Sequence, residues 1–248
     1  MTQRIALVTG GTGGIGTAIC RRLVDIGYKV AAGYNSGGNH AKAQAWQVEQ
    51  RNTGYDIQIS YGDVRDFESC LNCVRHVEET LGPIDVLINN AGITRDSTLK
   101  KMAIDQWDDV ISANLNSVFN MTRHVVNGMI ERRFGRIINV SSINAQKGQL
   151  GQTNYSAAKA GMHGFTKALS QEVARKGVTV NTVSPGYIAT KMVMAVPEEV
   201  RDSIIKDIPV GRLGTPQEVA MAVSFLASED AGFITGSNLS VNGGQHMF

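Results

Sequence analysis

Several residue types are scarce in this 248-residue chain: proline occurs five times, cysteine three times and tryptophan twice, and aromatic residues make up 6%. Little proline, 42% hydrophobic residues and a formal net charge of +2 exclude a disordered or low-complexity chain. Three cysteines cannot all pair, and a chain this long needs no staples, so a disulfide-framed scaffold is excluded and the reducing cytoplasm is the expected home. No stretch approaches 18 uninterrupted apolar residues, so no membrane-spanning helix is expected. Met1–Val8 lacks a charged region followed by a long apolar core and reads as the start of a fold, not a leader. A net charge of +2 and a sequence pI of about 8.4 argue against a dedicated nucleic-acid binder, which would carry a basic stripe. The five histidines show no metal-ligand spacing, so no metal site is expected.

Glycine is abundant instead: 27 residues, about 11% of the chain against roughly 7% on average. Apolar runs alternate with segments of helical period from end to end. The strand expectations are Arg4–Thr9, Lys29–Gly33, Asp56–Tyr61, Val86–Asn89, Arg136–Ser141, Thr179–Ser184 and Gly236–Val241. They are short and often continuously apolar, as in Val86-Leu87-Ile88, the signature of strands buried on both faces. Helices are expected over Ile15–Ile26, Ala41–Gln50, Phe67–Leu81, Ile104–Arg132, Tyr155–Lys176 and Pro216–Ala227. This alternation implies crossover units and a parallel sheet. No linker or internal repeat appears, so residues 1–248 read as a single α/β domain, a doubly wound Rossmann-type sheet of about seven strands with helices on both faces. One stretch, 188–214, breaks the rhythm with Met192, Met194, Pro197 and Pro209. It is either a surface insertion or a substrate-binding lid, since long loops in compact domains tend to be functional and this one follows a strand end.

Gly10, Gly11, Gly13, Gly14 and Gly16 crowd into seven residues after the first strand, and Ile15 lies among them. A strand–glycine loop–helix unit suits a pyrophosphate: missing side chains admit close approach, and free N–H groups at a helix start face negative charge. The loop also reads Thr9-Gly10-x-x-x-Gly14-x-Gly16, with Thr12 inside it. Asn89-Asn90-Ala91-Gly92 closes the fourth strand, and Asn114 lies in the next helix. Ser142 precedes Tyr155 by thirteen residues, Lys159 follows it by four, and Pro185-Gly186-x-Ile188-x-Thr190 follows the sixth strand. With these five ordered motifs, the whole chain resembles the short-chain dehydrogenase/reductases.

A carboxylate roughly 20 residues past the glycine motif would bind the ribose of NAD. None occurs from Ile26 to Val48, so NADP(H) is the expected cofactor, with Asn35, Ser36, His40 or Lys42 available to the 2′-phosphate. Gly13 stands where many NADP-preferring relatives carry a basic residue. The resemblance further implies that Gly62, Asp63 and Val64 flank the adenine, that Asn90, Ala91 and Gly92 run along the cofactor, and that Pro185, Gly186 and Ile188 close on it.

Tyr155 and Lys159 share one face of a helix. A free phenol titrates near 10. An ammonium about 5 Å away contributes roughly 3 kcal/mol at an effective dielectric of 20, enough to lower the phenol by about two in pKa. Tyr155 could then act as acid towards a carbonyl, with Ser142 hydrogen-bonding the same oxygen. The resemblance adds that Lys159 holds the nicotinamide ribose and that Asn114 supports a water feeding protons to it.

The same helix carries a face of small residues, Ala157, Gly161, Gly164 and Ala168, which suits either tight packing on the sheet or a second copy of the chain; the resemblance implies a homotetramer. Cys70-Leu71-Asn72-Cys73 has no second pair and reads as ordinary packing. His163 and His124 read as helix-surface or interface residues. Arg132, Arg133, Arg136, Arg175 and Lys176 gather at two helix ends, either offsetting helix dipoles or docking an acidic carrier or phosphate-bearing thioester. Finally, Gln146–Tyr155 and the ending Val241–Met247 resemble the acetoacetyl-CoA reductases of polyhydroxyalkanoate synthesis, which sit beside the 3-oxoacyl-carrier-protein reductases. Carried over by position, Asp96, Gln149, Leu150, Gln152, Gly186 and Tyr187 would line an acyl-thioester site, with Leu150 departing from an expected phenylalanine. The reaction implied is NADPH-dependent reduction of acetoacetyl-CoA to the (R)-3-hydroxyacyl thioester, or of its carrier-protein equivalent.

Overall fold

A computed structural model of the chain describes residues 3–247; within it the side chains of Ser36 and Met192 lie outside the described set. Seven strands form one sheet: β1 (Ile5–Thr9), β2 (Lys29–Tyr34), β3 (Ile57–Tyr61), β4 (Val86–Asn89), β5 (Gly135–Val140), β6 (Val178–Pro185) and β7 (Asn238–Val241). All pairings are parallel and the order is β3-β2-β1-β4-β5-β6-β7. The chain leaves β1 towards β2 and β3, then returns to set β4 on the other side of β1. The crevice where the order reverses, beyond the carboxyl ends of β1 and β4, is where open sheets of this kind hold ligands.

Helices cover both faces, because strands buried on both sides need two apolar covers. Along β1, Ala6 and Val8 join one core with α1 (Gly14–Asp25) and α10 (Pro216–Ala227), while Ile5 and Leu7 join the other with α3 (Phe67–Thr80), α5 (Ser117–Glu131) and α7 (Thr153–Val173). Truncating fully buried Leu7 or Leu87 to alanine removes about 2–5 kcal/mol. The other helices are α2 (His40–Asn52), α4 (Ile104–Ile111), α6 (Asn144–Lys147), α8 (Lys191–Met194) and α9 (Glu198–Lys206).

The expected continuous helix over 104–132 is interrupted. Between α4 and α5, Ser112–Asn116 forms a π-helical turn in which the Ser117 N–H reaches back to the Ser112 carbonyl. Such turns insert one extra residue and recur at functional sites. The 188–214 excursion carries α8 and α9, and its ends are pinned together: Ile188 bridges Gly214 in parallel, and Gly214 N–H donates to the Tyr187 carbonyl at 2.9 Å.

Candidate active site

The glycine loop leaves β1 with Gly10 at φ +62°, a conformation that favours glycine. A Cβ at Gly11 would come within 2.7 Å of the Ala32 Cβ, and one at Gly16 within 2.8 Å of the Gly11 Cα and onto the Gly10 carbonyl oxygen. These glycines fold the loop onto itself and onto β2. Gly13, the residue before α1, would meet only the Gly10 carbonyl, at 3.3 Å, and Gly14 faces Thr190. The outer side of the loop is therefore open backbone at a helix start.

The Thr9 hydroxyl ties this loop to the end of β4: it donates to the Ile88 carbonyl and accepts from the N–H groups of Asn90 and Ala91, both at 3.0 Å. Asn90 spends its amide on the carbonyls of Thr9 (2.9 Å) and Gly10 (3.2 Å). The side chain is thus turned onto the glycine loop and braces it against the end of β4. A cavity of about 390 Å³ opens beside it, lined by Gly10, Asn35, Gly62, Asp63, Val64, Ala91 and Gly92 among the expected residues. Tyr34, Gly37 and Arg65 line it too and were not anticipated. Arg65 reaches the Asp63 carboxylate at 2.6 Å and holds it below the usual carboxylate range. His40 closes an aromatic cluster, its Nδ1 2.8 Å from the Tyr34 hydroxyl and its ring 4.9 Å from Tyr61. Lys42 is exposed in the first turn of α2.

At the ends of β5 and β6 lie the other motifs. Tyr155 lies beside Ser142, whose hydroxyl oxygen accepts from the Asn144 N–H at 3.1 Å. Lys159 is buried, 3% exposed, with Nζ donating to the Val140 carbonyl at 2.7 Å and 5.7 Å from the centre of the Tyr155 ring. Here the electrostatics differ from expectation. Burial pushes the Tyr155 phenol above its ordinary value, opposed by the Ser142 hydrogen bond, and the Asp96 charge adds to the rise. Burial also draws the Lys159 ammonium down to about 7. The reason is desolvation: a lysine sealed between helix and sheet loses hydration before it can lend its charge to a neighbour.

Asn114, fully buried in the π turn, accepts from the Ile93 N–H (3.1 Å) and donates to the carbonyls of Ile93 and Val110 (both 2.9 Å). A Cβ at Gly92 would strike the Asn114 Oδ1 and sit 3.4 Å from Lys159 Nζ, so these three residues converge. Asp96 accepts from Gln152 Nε2 (2.8 Å), and Asn144 donates to Gln152 Oε1 (2.9 Å). The Asp96 charge reaches Tyr187 as well as Tyr155, uniting this part of the expected substrate set. Gln149 and Leu150 lie on a loop between left-handed Gly148 and Gly151, where the Gln149 carbonyl accepts from the Gln152 N–H at 3.1 Å and Leu150 is 87% exposed. Gly186 packs on Asn242, where a Cβ would find its Cα at 2.9 Å; its N–H donates to the Val241 carbonyl, and the Pro185 carbonyl accepts from Ile143. Ile188 is buried, and Thr12 half-buried.

Of the remaining expectations, the surface placement of His163 needs correction. His163 points inward, with Nε2 3.0 Å from the Ser141 hydroxyl, whereas His124 lies near the surface against Phe67. Gly161 is small because the Leu115 side chain would meet its Cβ at 2.9 Å, while Gly164 has open space beside it. Arg136 is buried among the carbonyls of Gly135, Ser228 and Glu229, and Arg132 pairs with Asp85. This basic group lies at the amino ends of β5 and β6, the edge opposite Ser142 and Tyr155. All three cysteines are free and buried, and Cys70 is pushed up to about 12 by burial and by Cys73, Asp66 and Asp63. Among the described residues no helix is long and apolar enough to cross a membrane.

A glycine cradle at the switch point beside a serine–tyrosine–lysine group defines a class. Residues 4–201 match the short chain dehydrogenase family, and the chain belongs to it. It is an oxidoreductase whose fold takes a nicotinamide dinucleotide, and the open loop at Gly13 and Gly14 with the adjoining cavity fits such a group. Among similar proteins, the acetoacetyl-CoA reductase of Cupriavidus necator is 56% identical over 247 residues, covering 100% of both chains. The acetoacetyl-CoA reductase of Rhizobium meliloti is 57% identical over 246 residues, 99% of each. The 3-oxoacyl-[acyl-carrier-protein] reductase of Vibrio harveyi is 46% identical over 244 residues, 98% of each.

Proposed function

We propose that the chain is an NADPH-dependent acetoacetyl-CoA reductase producing (R)-3-hydroxybutanoyl-CoA for polyhydroxyalkanoate synthesis. The carrying observation is that Ser142, at the end of β5, lies beside Tyr155 on α7 with buried Lys159 one turn on, in a chain similar end to end to enzymes of that name. When bound, the reduced dinucleotide supplies the hydride. Tyr155 donates its proton to the 3-keto oxygen, and Ser142 hydrogen-bonds that oxygen as negative charge develops. Lys159 sits where a proton lost by Tyr155 can be replaced, and Asn114 and Gly92 shape the space around it. Gly10, Gly13, Gly14 and Gly16 with Ile15 hold the pyrophosphate, while Asp63, Val64 and Gly62 border the adenine. The preference for NADP is supported by the carboxylate-free end of β2, by His40 and Lys42 nearby, and by Arg65 neutralising Asp63. Asp96, Gln152, Gly186 and Tyr187 receive the thioester, with the 188–214 segment as lid and Leu150 at the rim. Exposed Ala157, Gly164 and Ala168 on one side of α7 support docking of further copies, as a homotetramer, and the free buried cysteines suit the cytoplasm.

The test compares kcat/KM for acetoacetyl-CoA and for an acetoacetyl carrier protein, each with NADPH and NADH. Acetoacetyl-CoA with NADPH should lead every other pairing by tenfold or more, and Tyr155→Phe should lose about 10²–10⁴-fold in kcat. A carrier-protein preference would move the chain to the fatty-acid reductases. Normal turnover by Tyr155→Phe would refute the site.

A further inference from the structure

Most helices of this fold meet the sheet through aliphatic side chains, but the middle of α7 meets it through polar atoms. Lys159, His163 and Thr166, spaced i, i+4 and i+7, form one stripe against β5 and β6. Lys159 Nζ donates to the Val140 carbonyl, while Thr166 Oγ1 accepts a hydrogen bond from Asn139 Nδ2 and lies 2.9 Å from Thr182 Oγ1. Between them, His163 Nε2 lies 3.0 Å from Ser141 Oγ and 3.3 Å from Ser184 Oγ.

A proton inventory assigns the ring. Ser141 Oγ donates its single proton to the Lys159 backbone carbonyl at 2.9 Å, and a carbonyl can only accept. Ser184 Oγ donates to Asn238 Oδ1 at 2.7 Å. With both hydroxyl protons committed, the contact at Nε2 requires the proton to lie on the ring. Burial and then the Lys167 charge hold the imidazole below its ordinary range, favouring the neutral ring.

We propose that His163 is a positioning residue for the reaction: by donating from Nε2 to Ser141, which holds the Lys159 carbonyl, it keeps α7 in the register that aims Lys159 and Tyr155 at the site. Apolar contacts tolerate sliding, whereas a chain of hydrogen bonds holds one alignment. Ser141 also directly precedes Ser142, so the same link steadies both halves of the group. The proposal rests on the reading of Tyr155 and Lys159 given above.

Imidazole proton–nitrogen correlation spectra of the intact protein should show the proton on Nε2 of His163, whatever the substrate proves to be. A proton on Nδ1 with Nε2 bare overturns the proposal. His163→Leu should lose tenfold or more in kcat with KM for acetoacetyl-CoA changed less than threefold. His163→Gln, which restores a donor near the Nε2 position, should recover to within threefold of the parent. Ser184→Ala, which leaves the Ser141 branch intact, should stay within about twofold. If His163→Leu does not fold, Ser141→Ala carries the kinetic test with the same expected loss. A lowered thermal midpoint with unchanged kcat would make the network merely structural and overturn the proposal. A parent protein that reduces another ketone but not acetoacetyl-CoA would sink the substrate reading alone, and the same variants would then be compared on that ketone.

Discussion

Lys159 is the residue on which burial acts most plainly. Its ammonium falls from 10.5 to about 7 through desolvation. Below about pH 7 the folded and unfolded chains both carry the proton, so the full cost of burying the charge is present. Between about 7 and 10.5 the folded chain has shed it and the unfolded chain keeps it, so stability rises with pH across that window. Lys159→Met never carries the charge. Its advantage over the parent in thermal midpoint should therefore be larger at pH 6 than at pH 9, read by calorimetry at both; an advantage that is flat or growing with pH would contradict the assignment. Ser142, Tyr155 and Lys159 are legible in the sequence because their spacing is chemical: a helix sets the tyrosine–lysine interval, and a strand end supplies the serine. The direction of their pKa values is not legible, because desolvation depends on what covers a group, and no interval along the chain records that.

At the scale of elements, α5 ends in a way its sequence does not advertise. Phe134 N–H donates to the Met129 carbonyl and Arg133 N–H to that of Ile130, the paired bonds of a left-handed helix stop, yet the left-handed residue is Arg133 at φ +54° rather than glycine. A side chain there costs about 1–2 kcal/mol. Arg133→Gly should return a net 0.5–1 kcal/mol or so, a rise of roughly 1–4 °C in thermal midpoint for a chain of this length; a fall would show that the Arg133 contact to the Arg175 carbonyl outweighs the strain. The π turn at Ser112–Asn116 is hidden for a related reason. Its apolar spacing still reads as continuous helix, and only the partners of Asn114 give it away. His163 misleads likewise, since a polar stripe facing a polar sheet looks in sequence like a stripe facing water. Strands and their alternation with helices are read well, because continuous apolar runs such as Val86-Leu87-Ile88 have few other uses.

For the whole molecule, the sheet separates two tasks. Its carboxyl edge gathers the glycine loop, Asn114, Ser142, Tyr155 and the pinned ends of the 188–214 excursion. If that excursion closes over bound ligands, trypsin should cut after Lys191 and Lys206 in the free chain and at least fivefold more slowly with NADP⁺ and acetoacetyl-CoA together; an unchanged rate would argue against a lid. The amino edge instead collects buried Arg136, the Arg132–Asp85 pair and exposed Arg175 and Lys176. The eight-residue strand β6 puts about 25 Å between Lys176 and the carboxyl edge of the sheet. A support or surface linked through that amine would therefore grip the chain by its far end, leaving the mouth of the pocket turned towards the solution.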